Sequence, residues 1–263
     1  MKTSKKLFTG ILIIAVFSFV FAANSTLLAR DYYQIKVYTI KDKAQENSVE
    51  KYLKEAYLPA MHRAGVKKVG VFKPISSDEA AGIKIFVFIP IKKLDDIEKI
   101  ESKLAKDNDY KSKGADYLNA SWDNPPYQRI ESILIRAFAE MPEFAVPDYK
   151  TPTSEQIYEL RSYEGPTEKL YRKKVEMFNE AGEVALFKKL KFNAVFYGEV
   201  ISGSAMPNLM YMTTFKDMKS HDEHWDAFRS HPVWEKLKNM EEYKHTVSHI
   251  DKYLMHPTEY SDI

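Results

Sequence analysis

One pattern returns in this chain at an almost constant step. Tyr33-Gln34-Ile35-Lys36-Val37-Tyr38 reappears as Tyr158-Glu159-Leu160-Arg161-Ser162-Tyr163, 125 residues later. Ile91-Lys92-Lys93-Leu94 reappears as Phe215-Lys216-Asp217-Met218, 124 residues later. Each match alone is weak. Two at nearly one offset, in the same order of elements, point to an internal duplication.

Each half reads as β-α-β-β-α-β. In the first, Tyr32 to Ile40 is a strand. Asp42 with Gln45 makes a capping-box pattern. The helix that follows carries Val49, Tyr52, Leu53, Ala56 and Met61 on its apolar face. Pro59 is expected to kink or break it, and Gly65 to end it. Strands are expected over Val66–Pro74 and Ile83–Ile91, then a helix with Leu94, Ile97, Ile100 and Leu104. A short helix over Lys111–Ala120 and a strand over Tyr127–Phe138 complete the half. Residues 141–154 hold three prolines without a period and read as a linker between domains at 30–140 and 155–263. In the second half, Gln156–Tyr163 is a strand and Pro166 suits a first helical position. That helix runs toward Leu190 with an interruption at Gly182. Phe192–Ser202, Leu209–Phe215 and Lys244–Met255 are the remaining strands, and Asp217 caps the helix that Pro232 divides.

Residues 1–22 read as a secretory signal peptide. Lys2, Lys5 and Lys6 precede the uncharged apolar run Leu7–Phe21, and Ala22 offers a cleavage site. The expectation is a secreted or periplasmic protein with no membrane span after cleavage. The absence of cysteine excludes lipoprotein attachment, disulfides and thiolate chemistry. The chain has 39 basic and 37 acidic residues, but three of the lysines lie in the leader. The remainder is close to neutral, which removes any broad electrostatic reason to bind nucleic acid. No Gly-rich phosphate loop or G-x-S-x-G is present.

Asn208–Leu237 is the most specific stretch: an alternating strand, a helix with Trp225-x-x-Phe228, then His231-Pro232-x-Trp234. It resembles the core motif of the NIPSNAP family, whose domains belong to the dimeric α/β barrel superfamily. The resemblance implies an α+β fold of two tandem ferredoxin-like (βαββαβ) halves. Their antiparallel sheets would pack face to face as an intrachain α/β barrel. The first half has lost the Trp-x-x-Phe pair, with Glu101 and Leu104 in its place. Superfamily relatives include monooxygenases, isomerases and haem-handling enzymes, so catalysis enters by fold analogy only.

Period two on the matched strands separates Tyr158 and Leu160 from Glu159, Arg161 and Tyr163. The first set is expected to pack on helices and the second to face the space between the sheets, with Gln34, Lys36 and Tyr38 from the other half. Such a polar set is either a ligand pocket or a structural network. On the last strand His245, Val247, His249, Asp251 and Tyr253 share a face and would join the same cavity or end at an exposed edge. Candidate catalytic residues are therefore Glu159 and His249. Candidate ligand-binding residues are Arg161, Tyr163, Lys36, Tyr38 and His245. No metal site is expected: His221-x-x-His224 lies where the first half has Ile97 and Ile100, and Trp225, Phe228 and Trp234 read as core. No cofactor is expected, haem on His245 or His249 being a minor alternative. The functional expectation is an exported protein binding a small molecule between two sheets, with homo-oligomers open. The alternative is a non-enzymatic interaction or structural protein of the cell envelope.

Overall fold

The computed structural model describes residues 29–263. The expected signal peptide and its expected cleavage at Ala22 lie outside the described residues. The first half contains β1 (Tyr32–Thr39), α1 (Lys43–Tyr52), α2 (Leu58–Ala64), β2 (Gly70–Pro74), β3 (Lys84–Ile91), α3 (Asp96–Lys106), α4 (Asn108–Lys113), α5 (Ala115–Leu118) and β4 (Arg129–Ala137). The second contains β5 (Ile157–Glu164), α6 (Glu168–Asn179), α7 (Glu183–Lys189), β6 (Phe196–Ser202), β7 (Asn208–Phe215), α8 (Met218–Arg229), α9 (Pro232–Asn239) and β8 (His249–Pro257). No helix or strand intervenes between β4 and β5. No helix among the described residues is long and apolar enough to cross a membrane.

Local chemistry sets most helix ends. Gln45 N–H donates to Asp42 Oδ1 at 2.9 Å, and Lys41 N–H donates to Gln45 Oε1 at 3.0 Å, a capping box shifted by one residue. Gly65 ends α2 in a left-handed conformation, φ 105°. Pro59 does not break its helix. Residues Leu53–Tyr57 form a π-turn between α1 and α2, which lets the chain absorb the missing N–H and continue. Pro166 precedes its helix, and Thr167 is the cap, accepting from Leu170 N–H at 3.2 Å. Pro232 opens α9 behind a His231 cap.

The eight strands form one closed antiparallel barrel in the order β1-β3-β2-β8-β5-β7-β6-β4. Within each half the order is fourth, first, third, second. The register repeats as well: Tyr32 faces Ile91 as Ile157 faces Phe215, and Tyr33 faces Ile135 as Tyr158 faces Met255. The expected intrachain α/β barrel is present, and the sheets of its two halves are continuous. Their edges are joined, β2 to β8 and β4 to β6. At the second seam Gly198 is required, because a Cβ there would meet Ile135 Cγ2 and the Arg136 carbonyl oxygen.

The barrel interior is filled apart from a cavity of about 110 Å³ at one rim. Tyr33, Phe72, Phe88, Tyr158, Phe196, Met210, Met212 and Met255 are among the buried side chains that fill the interior, as eight strands leave room for little else. The expected cavity between the sheets is thus small and confined to the rim. Helices cover the outer face of each half over two further apolar layers. In the second, Phe187 stacks on Phe228 at 4.7 Å and Phe192 meets Trp225 edge-on at 4.9 Å. Burial of each such ring is worth roughly 1.5–3 kcal/mol.

Candidate functional site

Closure of the barrel inverts the expected faces of the matched strands. Tyr158 and Leu160 point into the interior, as do Tyr33, Ile35 and Val37. Glu159, Arg161 and Tyr163 lie on the outer face beneath the helices, and so do Gln34, Lys36 and Tyr38. The alternation itself holds. Both faces of a helix-covered barrel are buried, so period two tells which residues go together without telling where. Charges take the outer face because the sheet–helix seam reaches water at its edges.

In the second half this face carries a tight network. Glu159 is fully buried. Its Oε1 accepts from Arg161 Nε at 2.8 Å and lies 2.7 Å from the guanidinium Nη2, while its Oε2 accepts from Trp225 Nε1 at 2.6 Å. His221 Nε2 stands 3.4 Å away, a charge contact without hydrogen-bond geometry. Arg161 also donates to Tyr163 Oη at 3.3 Å, which pairs with Tyr211 Oη at 2.8 Å. Burial pushes the Glu159 carboxyl up, but His221 and Arg161 outweigh it and hold it below the usual carboxylate range. Beside it Lys174 and Glu183 make a second buried pair at 2.8 Å. Trp225 covers Arg161, and the expected pocket residues Glu159, Arg161 and Tyr163 spend their polar atoms on one another.

The first half is built differently at the same places. Lys36 stands where Arg161 does, Gln34 where Glu159 does, and Glu101 of α3 where Trp225 does. A carboxylate on the helix cannot fill the volume of an indole. The result is a cavity of about 280 Å³ between sheet and helices, with Lys36, Glu101 and Gln34 at its polar side. Its walls are Ile89 and Ile91 of β3, Ile97, Ile100 and Leu104 of α3, and Tyr52, Tyr57 and Tyr110. Tyr52 Oη and Tyr110 Oη are 2.8 Å apart. Within the described residues Lys36 Nζ has neither an ion pair nor a hydrogen bond, and it sits 5.4 Å from the centroid of the Tyr57 ring. Burial pushes the Lys36 ammonium down, and the charge of Glu101 opposes this only in part. Across Ile91 and Ile100 lies a second cavity of about 390 Å³, bordered by Lys67, Lys68, Lys92, Lys99 and Lys103. Asp31 and Asp96 share that border, paired with Lys92 at 2.9 Å and with Lys99 at 3.4 Å.

The other sequence candidates disperse. Tyr38 is buried and packs edge-on against Tyr127, with no part in lining the cavity. His245 is not on a strand: β8 begins only at His249, and His245 occupies an exposed turn with φ 58°. It therefore lines neither cavity. His249 lies on the interior face at the barrel rim, on the opposite side of the sheet from Glu159, so these two do not form one site. His224 Nδ1 bonds to the Ser220 carbonyl at 2.6 Å, and His221 Nδ1 pairs with Asp222 Oδ1 at 2.8 Å.

Glu101, Tyr52, Tyr57 and Tyr110 were not singled out as site residues. Glu101 had a legible signal, since a carboxylate interrupts the apolar face formed by Ile97, Ile100 and Leu104.

Residues 158–262 match the NIPSNAP family model. Among solved structures, a candidate monooxygenase from Lactobacillus acidophilus is similar over 87% of this chain and 94% of its own, at 12% identity and a TM-score of 0.55. A candidate monooxygenase from Fusobacterium nucleatum is similar over 88% and 93%, at 10% identity and 0.56. An anthrone oxidase-like protein is similar over 87% and 92%, at 8% identity and 0.51. These likenesses establish the shared barrel fold. No curated protein matches the chain.

Proposed function

This chain is a NIPSNAP family member through its residues 158–262, and on that premise we propose that the half outside the match holds the ligand. The ligand is a small molecule with an apolar body and one anionic or ionisable oxygen: a carboxylate, phenolate or enolate. One observation carries this reading. Lys36 keeps a half-buried amine with neither ion pair nor hydrogen bond among the described residues, beside a partly apolar cavity, and a partly desolvated charge without a partner is unfavourable unless something supplies one. The ligand oxygen supplies it, and the isoleucine and tyrosine walls take the apolar body. We read the two halves as tandem ferredoxin-like units, on the repeated strand order and register. The second closed its seam with Trp225, and the first stayed open. Export, supported by the basic and apolar run of residues 1–22, would place this binding outside the cytoplasm.

Titration calorimetry tests the reading with 2-naphthoate and naphthalene as probes. The acid is expected to bind and the hydrocarbon to bind at least tenfold more weakly, with the difference abolished in Lys36→Met. Equal binding of the two probes, or naphthoate binding that survives Lys36→Met, would overturn it.

A second reading adds chemistry. An amine of lowered pKa beside a bound acidic C–H or O–H can take its proton and hold the resulting anion. Anthrone-type substrates in that state react with dioxygen directly: an activated methylene becomes a carbonyl, and the second oxygen atom leaves as water. The names of the structural neighbours favour this class. Oxygen uptake on addition of anthrone, absent in Lys36→Met, is the expected result.

A further inference from the structure

At one rim of the barrel the interior face turns polar. Glu164 ends β5, and its cross-strand neighbours are Asn208 on β7 and His249 on β8; Asp251 lies two residues along β8, opposite Ser162. All four continue interior rows, those of Tyr158 and Leu160, of Met210 and Met212, and of Tyr253 and Met255. Glu164, His249 and Asp251 each bring one ligand atom to within 4.8 Å of the others. His249 Nε2 lies 3.2 Å from Asp251 Oδ1.

Three further observations mark the place as built for a cation. Asn208 is 3% exposed, and its Nδ2 donates to Ser162 Oγ at 2.8 Å, yet its Oδ1 is buried with no hydrogen-bond partner. A buried carbonyl oxygen without a donor is unfavourable, and a metal ion or its bound water removes the deficit. Asn208 and Asp251 line the same small cavity, of about 110 Å³, together with Glu131 and Lys84. The cavity thus sets two carboxylates, Glu131 and Asp251, against one ammonium, and Lys84 already donates to Tyr253 Oη at 2.9 Å.

We propose that Glu164, His249 and Asp251 bind one divalent transition-metal ion at the barrel rim. Asn208 Oδ1 takes part directly or through a metal-bound water. One imidazole and two carboxylates form a mixed nitrogen and oxygen set that suits zinc or manganese, with zinc the tighter of the two. The imidazole argues against calcium and magnesium, which prefer oxygen alone. His249 and Asp251 keep 59% and 42% of their side chains exposed, so the ion retains water in its open positions. The site lies on the opposite face of the sheet from Lys36 and does not depend on the ligand assigned there.

The test is calorimetric titration of the purified, chelator-treated protein with zinc chloride, manganese chloride and calcium chloride. Zinc is expected to bind at one site per chain, manganese more weakly, and calcium without saturation. Glu164→Gln, His249→Gln and Asp251→Asn should each weaken zinc at least tenfold, with metal-free melting temperatures unchanged. His245→Gln should bind as the wild type does. A visible absorption band on adding cobalt(II) to the wild-type protein, displaced by zinc, needs no variant and reads imidazole coordination independently. The proposal is overturned if zinc shows no saturable site, if His249→Gln binds as tightly as wild type, or if His245→Gln loses the site.

Discussion

The guanidinium of Arg161 lies 3.8 Å from the centroid of the Trp225 ring, stacked against the indole whose Nε1 donates to Glu159. This contact closes that seam of the second half, whose cavity of about 250 Å³ lies elsewhere, beside Val184, Phe187 and Tyr197. Its counterpart in the first half is Lys36 facing Glu101, where no ring intervenes and a cavity remains. Two seams of the same construction thus diverge through one helix position.

Exchange of that position is the most direct variant. Glu101→Trp should place an indole over Lys36, fill the cavity and abolish naphthoate binding, while the circular dichroism spectrum stays that of the wild type. Retained binding in a folded Glu101→Trp would move the ligand elsewhere.

Trp225 holds the opposite role. Trp225→Ala removes a buried ring together with a hydrogen bond to a buried carboxylate, and should cost about 3–5 kcal/mol. Thermal melting should fall by roughly 6–20 °C for a chain of this size. Trp225→Phe keeps most of the packing and loses the N–H, for about 1.5–3 kcal/mol. A near-neutral Trp225→Ala would contradict the sealing role.

Glu159 gives stability a dependence on acid. Its folded pKa lies below its ordinary value of 4.5, so its contribution is complete above that value and is lost as pH falls through the folded value. Glu159→Gln leaves Arg161 buried without its counter-charge and should cost about 3–5 kcal/mol at neutral pH. Urea titrations from pH 7 down to pH 2 should show the wild type converging on the variant. Parallel curves would refute the assignment.

Lys36 works against stability. Its folded pKa is below its ordinary value of 10.5, so holding it charged destabilises the fold at neutral pH. That cost disappears as pH rises from the folded value toward the ordinary one. Lys36→Met should therefore melt higher at pH 7, by roughly 2–4 °C, while losing the ligand. The gap should narrow in alkaline buffer. A lower melting temperature for Lys36→Met would indicate a structural lysine instead.

Much of the fold was legible because the repeat fixed the order of elements. The pairs Tyr33/Tyr158 and Phe215/Ile91 occupy matching places in the barrel register. Apolar spacing on the helices and the caps at Asp42 and Asp217 set most helix boundaries within a few residues. The barrel was implied by the family resemblance alone, and its closure is not legible in the residues themselves. It depends on β2 pairing with β8 and on Gly198 admitting β4 beside β6, contacts between residues far apart in sequence. Without closure the interior face could not be told from the helix face, and so Glu159 and Arg161 were set among the wrong neighbours. Lys36 was picked out by its match to Arg161, but its cavity follows from Glu101. Glu164 escaped notice because only the register of β5 against β8 brings it to His249.

The central claim is that the ligand is held by Lys36 between the sheet and the first-half helices. Native mass spectrometry of the wild-type protein and Lys36→Met, both purified without added ligand, tests it most directly. A small molecule is expected to ride with the wild type, to leave on denaturation and to be absent from Lys36→Met. The same excess mass on both chains, or no excess mass on either, would contradict it.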